Sequence, residues 1–275
     1  MSGRVIILGS LNVDVVTRVE RLPRAGETLL GEPEGRLAGG KGGNQAMAAR
    51  RAGASVVMLG LVGYDGDGAA YLARLQDAGI EVPLPAAHDV PTGTAYITLD
   101  EAGENTIVVA PGANAALSDA GLDAVDLRAE DVLLASLEVP LQVVENAVRR
   151  AKDAGARAFI NMAPYAALSP DVIAMADAVI VNESEMRLLA ESGLMPTSLV
   201  VTFGSAGARW DGAEVTGIPL DSGQVVDTAG AGDAFCGALA AALVDGEDQE
   251  SALAAANRAG AEAVQWSGAQ PDAHL

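Results

Sequence analysis

The sequence is poor in the residues that build disulfides, metal centres and membrane spans. Its 275 residues include a single cysteine, Cys236, so an intramolecular disulfide is excluded. The two histidines, His88 and His274, lie in loop-like contexts, which argues against a histidine-based catalytic triad or a zinc site. The longest apolar run, residues 234–244, is 11 residues long. A membrane-spanning helix needs about 20 apolar residues, so we expect a soluble protein.

The sequence also offers little that would direct it out of the cell. Its N-terminal residues lack the apolar core and the cleavage site of a secretory signal peptide. A single cysteine suits a reducing compartment. We therefore expect a cytoplasmic protein in which Cys236, next to Phe235, is a small buried hydrophobe rather than a nucleophile.

Positive charge is scarce. The chain has 17 Lys and Arg against 37 Asp and Glu, a net charge of −20. This balance argues against sequence-independent binding to nucleic acid or to an acidic membrane surface. A phosphorylated small molecule is not excluded, because physiological salt screens exposed charges beyond about 8 Å. The hydrophobic content of 50% is ample for a large core.

Apolar strand-like runs alternate with helical patterns along the chain, which predicts an α/β fold: a doubly wound, mostly parallel sheet with helices on both faces. We interpret residues 1–275 as one domain. A helix over residues 43–52 follows the first strand. Residues 15–37 and 92–109 have strand-like content without intervening helices, and residues 94–99 and 105–109 form a predicted hairpin. These inserted segments favour a small antiparallel β lid over the ligand crevice, with an ordinary extension of the sheet as the alternative.

The segment from Asp227 to Asp233 suits phosphoryl transfer. Gly230, Ala231 and Gly232 are small residues that open an apolar helix, so their backbone N–H groups can point at an anion where the helix dipole favours negative charge. Asp233 then lies beside that anion as a candidate general base. The alternative is a glycine turn that precedes a buried helix and binds nothing.

A glycine-rich stretch, residues 39–45, nearly matches a phosphate-binding P-loop when read from Gly35. Gly42 stands where that motif needs the Ser or Thr that holds Mg²⁺, so a P-loop is rejected. The remaining interpretations are a turn that brings Lys41 and Asn44 against a polyhydroxy ligand, or a tight turn without a ligand.

Three further polar residues follow strand ends, where side chains reach the ligand crevice of an open α/β sheet. They are Asn12, Asp14 and Glu138. Amide and carboxylate groups of this kind each bind two hydroxyls, which suits a sugar. Each residue alone could equally be a cap or a turn former.

Two segments in the second half suit a nucleotide. Asn182 and Glu185 can form a capping box at a helix start, or can lie near Mg²⁺-bound phosphates with Glu185 acting largely through water. Thr202, Gly204 and Gly207 belong to a small-residue turn at the end of a strand.

In this order, the segments resemble the ribokinase-like carbohydrate kinase family of the phosphofructokinase-B type, and the likeness covers nearly the whole chain. The signatures are residues 9–14, 23–28, 39–45, 111–114, 182–185 and 227–233. The resemblance implies an ATP-dependent kinase that phosphorylates the 5-hydroxyl of D-ribose, with Asp233 as base and Gly230, Ala231 and Gly232 as anion hole. It also implies a homodimer formed through the β lid.

The resemblance assigns roles to residues at the matching positions. Those that would hold ribose are Asn12, Asp14, Gly40, Lys41, Asn44, Glu138 and Asp233. Those that would line the nucleotide site, with ATP and Mg²⁺, are Asn182, Glu185, Thr202, Gly204, Gly207, Gly232 and Asn257. Those that would bind an activating K⁺ ion are Asp227, Ala229, Ala263, Gly268 and Asp272.

The chain departs from the family pattern in three places. The stretch between Glu185 and Leu199 has room for one helix, Asp272 replaces a small hydroxyl residue, and the usual final helix is not expected. Two alternatives stay open. One is a kinase of the same family for another sugar or a nucleoside, and the other is a non-catalytic sugar-binding regulatory protein.

Overall fold

The computed structural model describes residues 3–221 and 223–275. Its strands are β1 (Val5–Leu8), β2 (Asn12–Val19), β3 (Glu32–Gly39), β4 (Val56–Leu59), β5 (Gly93–Asp100), β6 (Asn105–Ala110), β7 (Val132–Ser136), β8 (Arg157–Asn161), β9 (Ala178–Asn182), β10 (Leu199–Thr202), β11 (Gly207–Trp210) and β12 (Ala213–Thr216). Its helices are α1 (Lys41–Arg51), α2 (Gly66–Asp77), α3 (Asp119–Leu122), α4 (Leu141–Asp153), α5 (Pro170–Met175), α6 (Glu183–Ser192), α7 (Ala231–Val244) and α8 (Gln249–Ala263).

The larger sheet has eight strands in the order β12-β11-β10-β9-β8-β7-β1-β4. Its six strands from β4 to β10 pair in parallel, and β11 and β12 extend it as an antiparallel hairpin. The predicted doubly wound, mostly parallel sheet is therefore confirmed.

Both faces of this sheet are buried, which explains why its central strands are almost wholly apolar. Strand β1 shows the arrangement: Val5 and Ile7 pack into the core beneath α1, α2, α7 and α8, while Ile6 and Leu8 pack into the core beneath α4, α5 and α6. Since successive side chains of a strand point to opposite faces, the two cores take alternate residues of the same strand.

The smaller sheet has four strands in the order β3-β2-β5-β6. Strands β5 and β6 form the predicted hairpin, and β2 pairs antiparallel with β3. The central pair, β2 and β5, is parallel, so the sheet is mixed and not wholly antiparallel as the sequence suggested. Asn12 and Gly93 are register partners at the start of these strands. Both strands therefore enter the small sheet at the same end and run in the same direction.

Two local features differ from the sequence-based expectation. Helix α1 begins at Lys41, two residues earlier than predicted, because Gly40 adopts a positive φ of 82° and its carbonyl accepts the first helical hydrogen bond from Asn44. The β11–β12 hairpin after Gly204 was not predicted at all. The positive φ of Asp211, 48°, allows its tight turn, and Asp211 is a residue type that tolerates this conformation.

Among the helices in the described part of the chain, none is long and apolar enough to cross a membrane.

Candidate active site

The candidate site lies where the carboxyl ends of β1 and β7 meet the first turns of α1 and α7. Ligands of open α/β sheets bind at this edge. The chain leaves β1 through Ser10 toward Asn12, and leaves β7 toward Glu138. Polar residues from segments far apart in sequence therefore converge on one crevice.

Asp233 is the best-anchored acidic residue of the site. It is the third residue of α7 and is 7% exposed. Its two carboxylate oxygens accept hydrogen bonds from the side-chain amides of Asn44 and Gln45, each at 3.0 Å. A carboxylate in the first turn of a helix is also stabilised by the helix dipole. The carboxylate is thus held in one orientation.

Lys41 and Glu138 lie close to Asp233. The charge of Asp233, and then that of Glu138, raises the pKa of the Lys41 ammonium against the opposing effect of burial. The backbone N–H of Lys41 donates to the Glu138 carboxylate at 3.1 Å, and the Ser10 hydroxyl donates to the same carboxylate oxygen. Lys41 therefore remains a cation near the carboxylates of Asp233 and Glu138. An ammonium group can donate hydrogen bonds to the hydroxyl oxygens of a ligand.

Asp14 lies directly over the backbone of Gly39. A Cβ atom on Gly39 would lie 2.2 Å from the Asp14 Oδ2 atom, so a larger residue there would displace the Asp14 carboxylate. Burial, with a smaller contribution from the charge of Glu138, raises the pKa of Asp14 to about 7. The pKa of the Asp14 carboxyl group therefore lies near neutral pH.

Asn12 is oriented by Asn114, a residue of the 111–114 signature to which the sequence assigned no role. The Asn114 amide nitrogen donates to Asn12 Oδ1 at 2.7 Å, while its oxygen accepts from the backbone N–H of Leu11 at 2.8 Å. Both asparagines are buried. Gly40 packs against the same segment, since a Cβ there would lie 2.7 Å from the Asn12 nitrogen.

The start of α7 is shaped by Gly230 and Gly232. Gly230 has a φ of 73°, and a Cβ on it would lie 2.5 Å from the Cα of Ala269. Around a Cβ placed on Gly232, by contrast, no heavy atom lies within 4 Å. The first N–H groups of a helix have no partner within the helix. The turn at Gly230 and Gly232 therefore places helix-start N–H groups beside Asp233, and the N–H of Ala231 makes a long hydrogen bond of 3.4 Å to the carbonyl of Thr228.

Among the residues predicted to bind a nucleotide, Asn182 and Glu185 form the capping box of α6. The Asn182 side chain accepts from the N–H groups of Ser184 and Glu185, and the Glu185 carboxylate accepts from the N–H of Asn182, all at 2.9 Å. Burial raises the pKa of Glu185, while the charge of Lys41 lowers it. Asn182 and Glu185 therefore cap helix α6. Glu185 is also close enough to Lys41 for the two charges to interact.

The other predicted nucleotide residues lie around the β11–β12 hairpin. Thr202 ends β10, and Gly204 follows with a φ of 57°. Gly207 has a φ of 112°, and a Cβ on it would lie 2.1 Å from the carbonyl oxygen of Val215, so the hairpin itself requires glycine there. Asn257 on α8 donates to the carbonyl of Thr216 at 3.0 Å.

Three of the five predicted cation residues, Asp227, Ala229 and Gly268, meet at the loop before α7, whereas the carbonyl of Asp272 contacts α2. The carboxylate of Asp227 accepts from the N–H of Ala229 at 2.9 Å and from that of Gly268 at 3.0 Å. Ala263 ends α8 nearby. Asp272 has a positive φ of 54°, and its carbonyl oxygen accepts from Arg74 at 2.5 Å. In residues 3–221 and 223–275, no group of three or more His, Cys, Asp or Glu side chains could hold a metal.

Besides Asn114 and Ser10, sequence reasoning missed three buried or half-buried partners of the site. Gln45 belongs to the glycine-rich signature, and that position was the available signal for its contact with Asp233. Gln270 and Arg74 gave no signal, because they contact the site from segments without a recognisable motif.

Comparison with known proteins supports one family. Residues 2–274 match the model of the pfkB family carbohydrate kinases. The ribokinase of Bacillus subtilis is 37% identical over 278 residues, which are 97% of this chain and 94% of that protein. The ribokinase of Schizosaccharomyces pombe is 34% identical, with coverage of 96% and 93%. The structure of Arabidopsis thaliana ribokinase complexed with ribose and ATP superposes with a TM-score of 0.85 at 27% identity, and the match covers 100% of this chain and 96% of that one.

Proposed function

The chain belongs to the pfkB family of carbohydrate kinases, and on this premise we propose that it transfers the γ-phosphoryl group of ATP to the 5-hydroxyl of D-ribose. The products are D-ribose 5-phosphate and ADP. The relatives at 37% and 34% identity are ribokinases over nearly their whole length, which supports ribose as the acceptor.

One contact carries the proposal: the 3.0 Å hydrogen bond from Asn44 to Asp233. It joins the glycine-rich turn, which supplies the sugar-binding groups, to the helix start that supplies the base and the anion donors. A kinase needs its acceptor hydroxyl between a base and a phosphate-binding surface. This contact brings the two halves of that arrangement together.

Ribose binds through the polar groups of the crevice. Asn12, Asp14 and Glu138 accept its hydroxyl protons, while Lys41 and Asn44 donate to its oxygens. The backbone of Gly40 borders the same space. Because Asn12, Asn44 and Glu138 are already hydrogen-bonded to other side chains, little ordering of these three is left to do when the sugar arrives.

Asp233 acts as the general base. It takes the proton of the 5-hydroxyl as that oxygen forms a bond to the γ-phosphorus of ATP, and the bond from that phosphorus to the bridging oxygen of ADP breaks. The N–H groups of Gly230, Ala231 and Gly232 stabilise the charge on the transferring group. A positioned base typically contributes about 10²- to 10⁴-fold to such a rate.

The nucleotide binds beside the start of α6 and the β11–β12 hairpin, near Asn182, Thr202, Gly204, Gly207 and Asn257. These positions offer small residues and exposed backbone, which suits a flat base and a phosphate chain. When bound, Mg²⁺ neutralises charge on the phosphates. Glu185 fits a water-mediated role toward it, since one oxygen of its carboxylate is outside the capping box.

A monovalent cation, K⁺, binds behind the anion donors. The Asp227 carboxylate keeps lone pairs free after accepting two N–H bonds, and the carbonyls of Ala229, Ala263 and Gly268 supply neutral oxygens. Asp272 contributes least, because Arg74 already holds its carbonyl oxygen. The cation would hold the loop that positions Gly230.

The small sheet joins two copies of the chain as a homodimer. Tyr96 and its register partner Val108 share one face of β5 and β6, Ile107 and Val109 lie on the other, and all four are at least half exposed. Strand β6 is also an edge, and its free backbone groups can pair with another strand. Sedimentation of wild-type protein and of Val108→Lys distinguishes a dimer from a monomer.

The decisive experiment is a panel of sugars and nucleosides assayed for ADP release with ATP and Mg²⁺. We expect D-ribose to give the highest kcat/KM. Faster turnover of fructose, deoxyribose or adenosine would assign the chain to another substrate in the same family. Ribose binding by calorimetry without ADP release from any acceptor would instead make it a non-catalytic sugar-binding protein.

A further inference from the structure

Gln270 is fully buried and connects the sugar site to the C-terminal segment. It lies after α8, and its side-chain amide donates to the Oδ1 atom of Asn44 at 2.8 Å. Its own oxygen accepts from the guanidinium of Arg74, at 3.1 Å from one terminal nitrogen and 3.4 Å from Nε. A continuous chain of hydrogen bonds thus runs from Arg74 through Gln270 and Asn44 to Asp233.

The donor-to-acceptor direction of this series of hydrogen bonds is fixed at both ends. Arg74 can only donate, and the ionised Asp233 can only accept. Both amides between them are satisfied in one orientation, with each oxygen toward Arg74 and each nitrogen toward Asp233. If Asn44 turned over, its oxygen would face the Asp233 carboxylate and its NH₂ group would face that of Gln270.

The segment that carries Gln270 is held on both sides. Arg74 also donates to the carbonyls of Pro271 at 3.2 Å and Asp272 at 2.5 Å. Beyond them, Ala273 accepts from the N–H of Ala38 at 2.7 Å, and Leu275 donates to the carbonyl of Arg36 at 3.0 Å. The small sheet and α2 therefore place Gln270 under Asn44.

We propose that Gln270 is a positioning residue that sets the orientation of the Asn44 amide, and through it the hydrogen-bonding face that the site offers to ribose. With its oxygen bound to Gln270 and one N–H bound to Asp233, Asn44 has its second N–H left for the sugar. The site then presents a donor at this point, and a sugar oxygen must accept. The inference rests on the proposed ribose kinase activity.

The test replaces the donor and keeps the shape. Gln270→Glu still accepts from Arg74 but cannot donate to Asn44, so we expect KM for ribose to rise about tenfold or more while KM for ATP changes little, since one lost hydrogen bond to a buried group has effects of this size. Gln270→Met, which is uncharged, is expected to shift KM for ribose in the same direction. Gln265→Glu is the matched control, because Gln265 is an exposed glutamine that donates to the carbonyl of Ala261.

A double-mutant cycle with Asn44→Ala separates positioning from simple structural support. If Gln270 acts through Asn44, adding Gln270→Met to Asn44→Ala changes kcat/KM for ribose much less than it does in the wild-type background. Equal effects in both backgrounds, or a parallel rise of KM for ATP together with a lower melting temperature, would assign Gln270 a structural role and overturn the proposal.

The wild-type enzyme tells the two proposals apart. If wild type does not phosphorylate ribose, the proposed function fails. If wild type turns over ribose, and Gln270→Glu and Gln270→Met have the same KM for ribose as Gln265→Glu, the proposed function stands and the role of Gln270 is wrong.

Discussion

The proposed sugar side and the proposed nucleotide side of the crevice are built by different means. On the sugar side, Asn12, Asn44 and Asp233 are buried and bonded to other side chains from distant segments. On the nucleotide side, Asn182 and Gly204 are exposed, and the hydrogen bonds of Asn182 are local to α6. Buried, mutually fixed groups can discriminate between acceptors, because a wrong partner leaves them unpaired. Exposed backbone and small residues accept a phosphate chain with little discrimination.

The largest effect should come from Asp233→Asn, at the boundary between the two sides. The amide is nearly isosteric but cannot take the proton of the ribose hydroxyl, so we expect kcat to fall at least ~100-fold. Ribose affinity, measured by calorimetry, should stay nearly intact because the sugar-binding side chains remain. Turnover near the wild-type value would remove Asp233 as the base.

Asp14 gives the proposed sugar side a pH dependence near neutral pH. With a pKa of about 7 in the free site, Asp14 is mostly protonated at pH 6 and mostly ionised at pH 8. An ionised carboxylate accepts two hydroxyls, so KM for ribose should fall as the pH rises through 7, by roughly fivefold to tenfold between pH 6 and 8. KM for ATP at the same pH values serves as the control, and a parallel change in both would contradict this origin.

The Asp14 carboxyl group should also affect the stability of the fold. Its raised pKa determines whether the free energy of unfolding rises or falls with pH. Between about pH 4 and pH 7 the folded state keeps a proton that the unfolded chain has released, so the free energy of unfolding falls as the pH rises through this window. Asp14→Asn removes that penalty, on the order of a few kcal/mol above pH 7. Melting temperatures of wild type and Asp14→Asn at pH 5 and pH 8 would measure it, with a higher value for the variant at pH 8 and weaker ribose binding.

The loop that carries Asp227 leads to a test of whether the proposed nucleotide side needs a bound cation. We expect faster turnover in K⁺ than in a buffer whose only monovalent cation is organic, with little change in ribose binding. Asp227→Asn should reduce the difference between the two buffers. Equal rates of the wild-type enzyme in both would discount the Asp227 site.

The smallest effect is expected from Asn257→Ala. Its bond to Thr216 is partly exposed, so its loss should raise KM for ATP only about twofold to fivefold, within the range of one exposed hydrogen bond. KM for ribose should stay constant. A larger rise of KM for ribose than of KM for ATP would contradict the proposed division between the two sides.

Much of this division could be predicted from the sequence, because it depends on local signals. The glycines of the 39–45 stretch and Gly230 mark close approaches of the backbone, and Asn182 with Glu185 forms a capping box. The parallel pairing of β2 with β5 could not be predicted, since register between separate insertions has no local pattern. Nor could the contacts of Gln270 and Arg74, which arise only when the last residues of the chain pack against α2 and β3.

The pairing of residues 273–275 with β3 links the small sheet to the proposed sugar site. The N–H of Leu275 is bonded to Arg36, only five residues after Gln270. A substitution that displaces residues 273–275 from β3 would therefore also disturb Gln270 and, through it, the orientation of Asn44.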